Sequence, residues 1–290
     1  MPDPQSPRRK QATGGRLRHS INIVVYVLAA SYHFVTIDAA APEYHTDIGQ
    51  HTAVTLRDRS EIHLGGGTSI KVNDAAHFRT VRLERGEILA AVRPDSDRPF
   101  QVVDGHLIAF NLGTTYDYVK HDSISNIAVL DGQVRLYQRN GLDQRGDPVV
   151  AESGVYRRAP VILSAGDLAR IEQRGDGTVI VTRAHAGLDV ARQRTQWLAG
   201  EIVASGQRLD EVIWEFNRYN HTPIVIDDPD IGSMIWGGAV SLRNVEGLVG
   251  VLGLQQHMDV EIVKGDDGQT ASYHLKGVAA PIRGKKLGAK

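Results

Sequence analysis

The chain has no cysteine among its 290 residues. That excludes disulfides, thiolate metal sites and a cysteine nucleophile. It is compatible with a periplasmic setting without requiring one. Excess charge of either sign is also missing, with 33 Lys and Arg against 34 Asp and Glu. The basic residues at the start, Arg8, Arg9, Lys10, Arg16 and Arg18, face a single acid, Asp3. The remainder is therefore mildly acidic and offers no broad basic surface for nucleic acid. Aromatics are few, at 6%, and no aromatic-rich or low-complexity tract is present. Long apolar runs are absent with one exception.

The exception is Ile21–Ile37, which contains no Asp, Glu, Lys or Arg. As a helix it spans about 26 Å, the short end for a hydrocarbon core. Three expectations compete for it. A signal anchor would leave the basic tail, residues 1–20, in the cytoplasm and the bulk of the chain in the periplasm. A cleaved signal peptide would use the same basic and apolar segments, although Asp38 and Pro42 spoil the nearest cut sites. A buried soluble helix or strand is the third. The signal anchor, a single-pass inner-membrane placement, is carried forward.

Residues 43–185 read as a succession of short strands. Ala53–Leu56, Ile62 with Leu64, Ile70 with Val72, Val81 with Leu83, and Ile88 to Val92 alternate between turn signals. Val102-Val103, Leu107–Phe110, Tyr116–Val119 and Ile127–Leu130 continue the pattern. Asp131-Gly132 before Val134–Tyr137 reads as a hairpin turn. Gln138–Ala159 reads as a long loop or insertion. Turn signals every 8 to 12 residues or so predict a sandwich, barrel or β-solenoid. Gly65-Gly66-Gly67 lacks the Lys-Ser/Thr ending of a phosphate loop and reads as a β turn.

The pattern changes over residues 196–275. Leu209, Val212, Ile213 and Phe216 fall on one face of a helix, and Pro223–Ile226 follows as a strand. Val245, Leu248, Val249 and Leu252 repeat the spacing, with Asn244 as N-cap and Asp259–Val263 as the next strand. With strands near 201–203 and 235–240, the prediction is two βαβ-like units in tandem. Gly247, Gly250 and Gly253 each cost about 1 kcal/mol in a helix, which predicts close packing on a sheet. The expected whole is mainly β: an all-β domain, sandwich or solenoid-like, then a small α+β module, with an N-terminal transmembrane helix and a basic tail at 276–290.

Several phrases in order carry a family resemblance: Tyr44-His45-Thr46 with Gly49, Val54–Ser60, Val81–Glu87, Arg98-Pro99-Phe100, Leu112–Tyr116, Leu130–Val134 and Leu163–Gly166. Trp197–Gly200, Leu209–Val212 and Phe216–Tyr219 extend it. With these the chain resembles the FecR family of inner-membrane regulators of cell-surface signalling. The resemblance implies a periplasmic β domain followed by a secretin/TonB short N-terminal type module. It implies two partners, the signalling domain of a TonB-dependent outer-membrane receptor and an extracytoplasmic-function sigma factor. The receptor's occupancy, commonly by an iron chelate, would be relayed between them. Family members usually begin with a cytoplasmic helical domain that holds the sigma factor. Here twenty residues without Trp or amphipathic helix precede the apolar run, so sigma-factor contact is the implied partner these residues do not supply.

No enzyme constellation is present and no cofactor is expected. Among twelve His there is no i, i+4 pair and no His-x-His, so His45, His51 and His63 read as solvated positions. The resemblance singles out Gly113-Thr114, where some relatives cut themselves. A Thr hydroxyl can attack the preceding carbonyl if the peptide is strained; otherwise the pair is a strand start. Trp214 lies opposite the apolar face of its helix, an exposed anchor for a partner or a residue that packs on the β domain. It is named as a candidate partner-binding residue with Arg218. Trp197 and Trp236 read as core or junction residues. The rival functions are an envelope binding or scaffold module without sigma regulation and, more distantly, a β-solenoid lyase.

Overall fold

The computed structural model describes residues 41–75, 78–105, 107–138, 160–176, 178–255 and 258–277. Ile21–Ile37, the residue 1–20 tail, nearly all of the Gln138–Ala159 stretch and most of the 276–290 tail lie outside them. Among the described residues no helix is long and apolar enough to cross a membrane.

Thirteen strands form one wrapped sheet. They are β1 (Glu43–His45), β2 (Thr52–Thr55), β3 (Glu61–Leu64), β4 (Ser69–Asp74), β5 (Arg79–Ala91), β6 (Phe100–Asp104), β7 (Leu107–Asn111), β8 (Thr115–His121), β9 (Ile124–Asp131), β10 (Gln133–Gln138), β11 (Val161–Ser164), β12 (Asp167–Gln173) and β13 (Val179–His185). The 13-residue β5 organises them. Its first half pairs with β4 and, in parallel, with β6, in the layer that continues through β7, β10 and β11. Its second half pairs with β3 and β8, in the layer that continues through β9, β12 and β13. The strand bends between its halves at Gly86, φ +92°, where a Cβ would come within 2.6 Å of the Thr68 Cα. Both layers enclose one apolar core that includes Ile62, Leu83, Phe100, Tyr116 and Val134.

Two sequence expectations are corrected here. The ladders are antiparallel except β5–β6, which suits a nearly closed barrel-like sheet and excludes the parallel coils of a solenoid. Asp131-Gly132 is not a hairpin either. β9 pairs with β8 and β12, while β10 pairs with β7 and β11. Gly132, φ +75°, is a corner where the chain passes from one layer to the other. A positive-φ glycine encodes the change of direction but not the strand's next partner.

One buried ion pair pins the layers. Arg79 and Asp58 have side chains 1% and 7% exposed and contact each other through Nη1 and Oδ2. Arg79 also donates to the carbonyls of Arg98 at 2.7 Å and Arg93 at 2.9 Å. Asp58 accepts from the Ser60 N–H at 2.9 Å and hydroxyl at 2.7 Å. Burial pushes the Asp58 carboxyl upward, and the hydrogen bonds from Arg79 and Ser60 outweigh it, leaving it below its ordinary range.

After helix α1 (Leu188–Gln193) and a 3-10 turn (Gln196–Ala199), the chain continues through β14 (Glu201–Arg208), α2 (Leu209–Asn217), β15 (Ile224–Ile226), α3 (Pro229–Gly232), β16 (Ile235–Ser241), α4 (Val245–Gln255), β17 (Met258–Lys264) and β18 (Thr270–Gly277). The strands interleave rather than form tandem βαβ units: β14 pairs with β16 antiparallel, while β15 and β17 flank β18. β18 carries the fold to Gly277, past the predicted start of the tail at 276. The α2 face Leu209, Val212, Ile213 and Phe216 is buried as expected, in a second core with Trp197, Ile202, Trp236 and Leu252. The Asn244 side chain caps α4 by accepting from the Gly247 N–H at 2.9 Å. Sheet packing does not explain all three α4 glycines. Gly253 faces β17, Gly247 makes room for the cap, and Gly250 faces open space.

Candidate functional site

The second half of β5 is buried on both faces. Ile88 and Ala90 point into the barrel core, while Leu89 belongs to the core of the C-terminal module. On the neighbouring β8, Tyr116 and Tyr118 point inward. Strand alternation then turns Glu87, Leu89, Asp117, Val119 and His121 to the outer face, and α2 covers that face.

The helix is built for two sides. Its apolar stripe fills its own core, and Glu211, Trp214, Glu215 and Arg218 repeat the same i, i+3, i+4, i+7 spacing opposite. Trp214 is half-buried and stacks on His121 of β8, with ring centroids 4.2 Å apart and planes 17° from parallel. Arg218, 7% exposed, meets Glu87, 1% exposed, at 2.9 Å. Its Nε donates to the Gly66 carbonyl at 2.8 Å, and its guanidinium lies 5.1 Å from the Trp214 ring and 5.4 Å from the Tyr219 ring. The Gly49 N–H donates to the Arg218 carbonyl at 3.0 Å, so the β1–β2 turn satisfies the end of the helix. Arg170 of β12 and Glu211 form a further ion pair across the junction.

The glycine turn makes this approach possible. A Cβ on Gly66 would collide with the Arg218 carbonyl oxygen, and one on Gly65 would lie 2.7 Å from the Tyr219 hydroxyl. Thr68 closes the corner, its hydroxyl donating to the Glu87 carbonyl at 3.2 Å and accepting the Glu87 N–H at 3.0 Å. The turn was legible in the sequence; its service to a helix about 150 residues away was not. The second stripe on α2 was the available signal.

The electrostatics are unbalanced. Glu87, Asp117 and Glu215 gather beside Arg218 and Arg194. Desolvation raises the Glu87 carboxyl despite Arg218. Burial, then the Glu87 charge, push Asp117 well above its ordinary range, although Trp197 Nε1 donates to it at 3.3 Å. The same two causes push Glu215 up to about 7. Desolvation also lowers His121. The arrangement can hold or release protons near neutrality while linking module to sheet.

Trp214 and Arg218 are thus brought together, in contact with the β domain. Gly113 and Thr114 lie elsewhere, at the corner between β7 and β8. A Cβ on Gly113 would come within 2.8 Å of Pro94 Cα. The buried Thr114 hydroxyl donates to the Gln133 carbonyl at 2.9 Å, beside a cavity of about 140 Å³ lined by Asn111, Gly113 and Arg135. Trp197 and Trp236 are both buried in the module core.

Comparison with known proteins matches the first part of this architecture. Residues 43–135 match the model of the FecR protein family, so the chain carries a FecR domain there. Two crystal structures of a Parabacteroides distasonis protein, itself assigned by inference as an anti-sigma factor, share the fold. One is 17% identical with a TM-score of 0.64, covering 82% of this chain and 100% of that one. The other is 18% identical with a TM-score of 0.63, covering 82% and 99%. No curated protein matches the sequence. The phrases that carried the resemblance meet at the junction: Thr46 and Gly49, Glu87, and Arg218-Tyr219. Together the domain and the fold support a signalling regulator.

Proposed function

We propose that this chain is a single-pass inner-membrane signalling protein, anchored by Ile21–Ile37, that relays the state of a TonB-dependent outer-membrane receptor to an extracytoplasmic-function sigma factor. It turns over no substrate and needs no cofactor. The receptor's periplasmic signalling domain docks on the exterior module, and iron-chelate uptake is the process reported. The observation that carries the reading is the FecR domain joined to its module through the buried Glu87–Arg218 contact. A load on the module reaches β5, the strand shared by both layers. Cleavage at Gly113–Thr114 belongs to the same reading as one way to make the signal irreversible.

The test is titration of the purified full-length chain with the signalling domain of a receptor from the same genome, followed by transcription from the cognate sigma-dependent promoter. Saturable binding together with receptor-dependent transcription supports the relay. Binding without a transcriptional response identifies an envelope binding module instead, and absence of binding overturns the receptor contact. On gels, wild type is expected to yield two fragments that Thr114→Ala does not; an intact wild-type chain after long incubation removes the cleavage step.

A further inference from the structure

The contact between sheet and helix leaves a cavity of about 290 Å³, the lower end of the range of small-molecule pockets. Its walls are rich in acceptors that nothing satisfies. Asp117 is 2% exposed, and its one side-chain hydrogen bond reaches Oδ1 from Trp197, which leaves Oδ2 without a donor. The buried Gln207 Oε1 also lacks a donor. Glu215 lines the same space with no side-chain hydrogen bond among the described residues. The lining holds four carboxylates, Glu87, Asp117, Glu211 and Glu215, and three guanidiniums, Arg170, Arg194 and Arg208. Arg170 pairs with Glu211, Arg208 with Asp210, and Glu87 with Arg218 from outside the lining. That leaves Arg194 alone to serve both Asp117 and Glu215. Buried acceptors without donors are costly. Between them Val119, Ile127, Ala128 and Leu168 supply an apolar floor.

We propose that this cavity binds a small aliphatic cation with primary ammonium groups, of the diamine or polyamine class. An ammonium brings three donors and a positive charge, which answers both deficits at Asp117, Gln207 and Glu215, and its methylene chain lies on the apolar floor. A bare metal ion fits less well, because no group of three or more His, Asp or Glu side chains among the described residues could hold one. A quaternary ammonium carries the charge without the donors. The bound cation touches sheet and helix together and so tightens their contact. The site does not depend on the receptor relay, and its failure would leave that reading standing.

Isothermal titration of the full-length chain with putrescine and spermidine, in about 150 mM salt at about pH 8, tests it, with tetramethylammonium as the control. One saturable site is expected for the amines, weakened about tenfold or more by Glu215→Gln and by Asp117→Asn, and no matching site for the control. Should Asp117→Asn fail to fold by circular dichroism, the half-buried Glu215→Gln carries the test alone. Absence of saturable amine binding, equal binding of tetramethylammonium, or unchanged affinity in the folded variants would each overturn the proposal.

Discussion

Arg79 and Arg218 are both buried guanidiniums facing a buried carboxylate, Asp58 in one case and Glu87 in the other. Around Arg79 one cation meets one carboxylate, and backbone carbonyls and Ser60 provide further partners. Asp58 is held below its usual range. Around Arg218 three carboxylates are buried together, and desolvation, followed for Asp117 and Glu215 by the Glu87 charge, pushes all three upward. The first pair lies inside the FecR barrel and closes it. The second lies where the barrel meets its module and borders a cavity. The same chemistry makes a permanent pin where one cation meets one carboxylate and an adjustable contact where several carboxylates are buried together.

The sharpest way to break this comparison is to remove each cation in turn. Arg79→Met strands Asp58 in the barrel and is expected to cost about 3–5 kcal/mol, read by urea unfolding at about pH 7. Arg218→Met is expected to cost less, about 2 kcal/mol, because the carboxylates it leaves can take up protons rather than stay charged. Its cost should grow between about pH 6 and about pH 8, whereas that of Arg79→Met should not.

The smallest effect sharpens the contrast through pH alone. Glu215, raised from 4.5 to about 7, binds its proton more tightly folded than unfolded. Stability from this group is therefore fully present below the unfolded value and is lost as pH rises through about 7. Glu87 and Asp117 act in the same direction. His121, lowered from 6.5, acts oppositely, but only below that value. Thermal melts between about pH 6.5 and about pH 8 should thus show falling stability. Glu215→Gln should flatten the fall, raising Tm at about pH 8 by roughly 2 °C.

The sequence made local structure legible wherever periodicity encodes it. Leu209, Val212, Ile213 and Phe216 announced α2 and its buried face, and Asn244 announced the α4 cap. It misled where pairing is decided at a distance. Asp131-Gly132 looks like a hairpin because it prescribes a turn, yet the strands on its two sides belong to different layers. The Glu87–Arg218 contact was hidden for the same reason. Gly66 and Arg218 stand 152 positions apart, and nothing local to either names the other. The Glu211, Trp214, Glu215 and Arg218 stripe was visible, and read beside the apolar stripe it marks a helix with two buried sides.

Hydrogen–deuterium exchange on wild type and Arg218→Met tests the central claim, that this contact ties the module to the FecR sheet. Faster exchange is predicted at the β1–β2 turn around Gly49 and along Leu209–Asn217, with β6 and β7 keeping their protection. Unchanged exchange at Gly49 and α2 in the folded variant would contradict it.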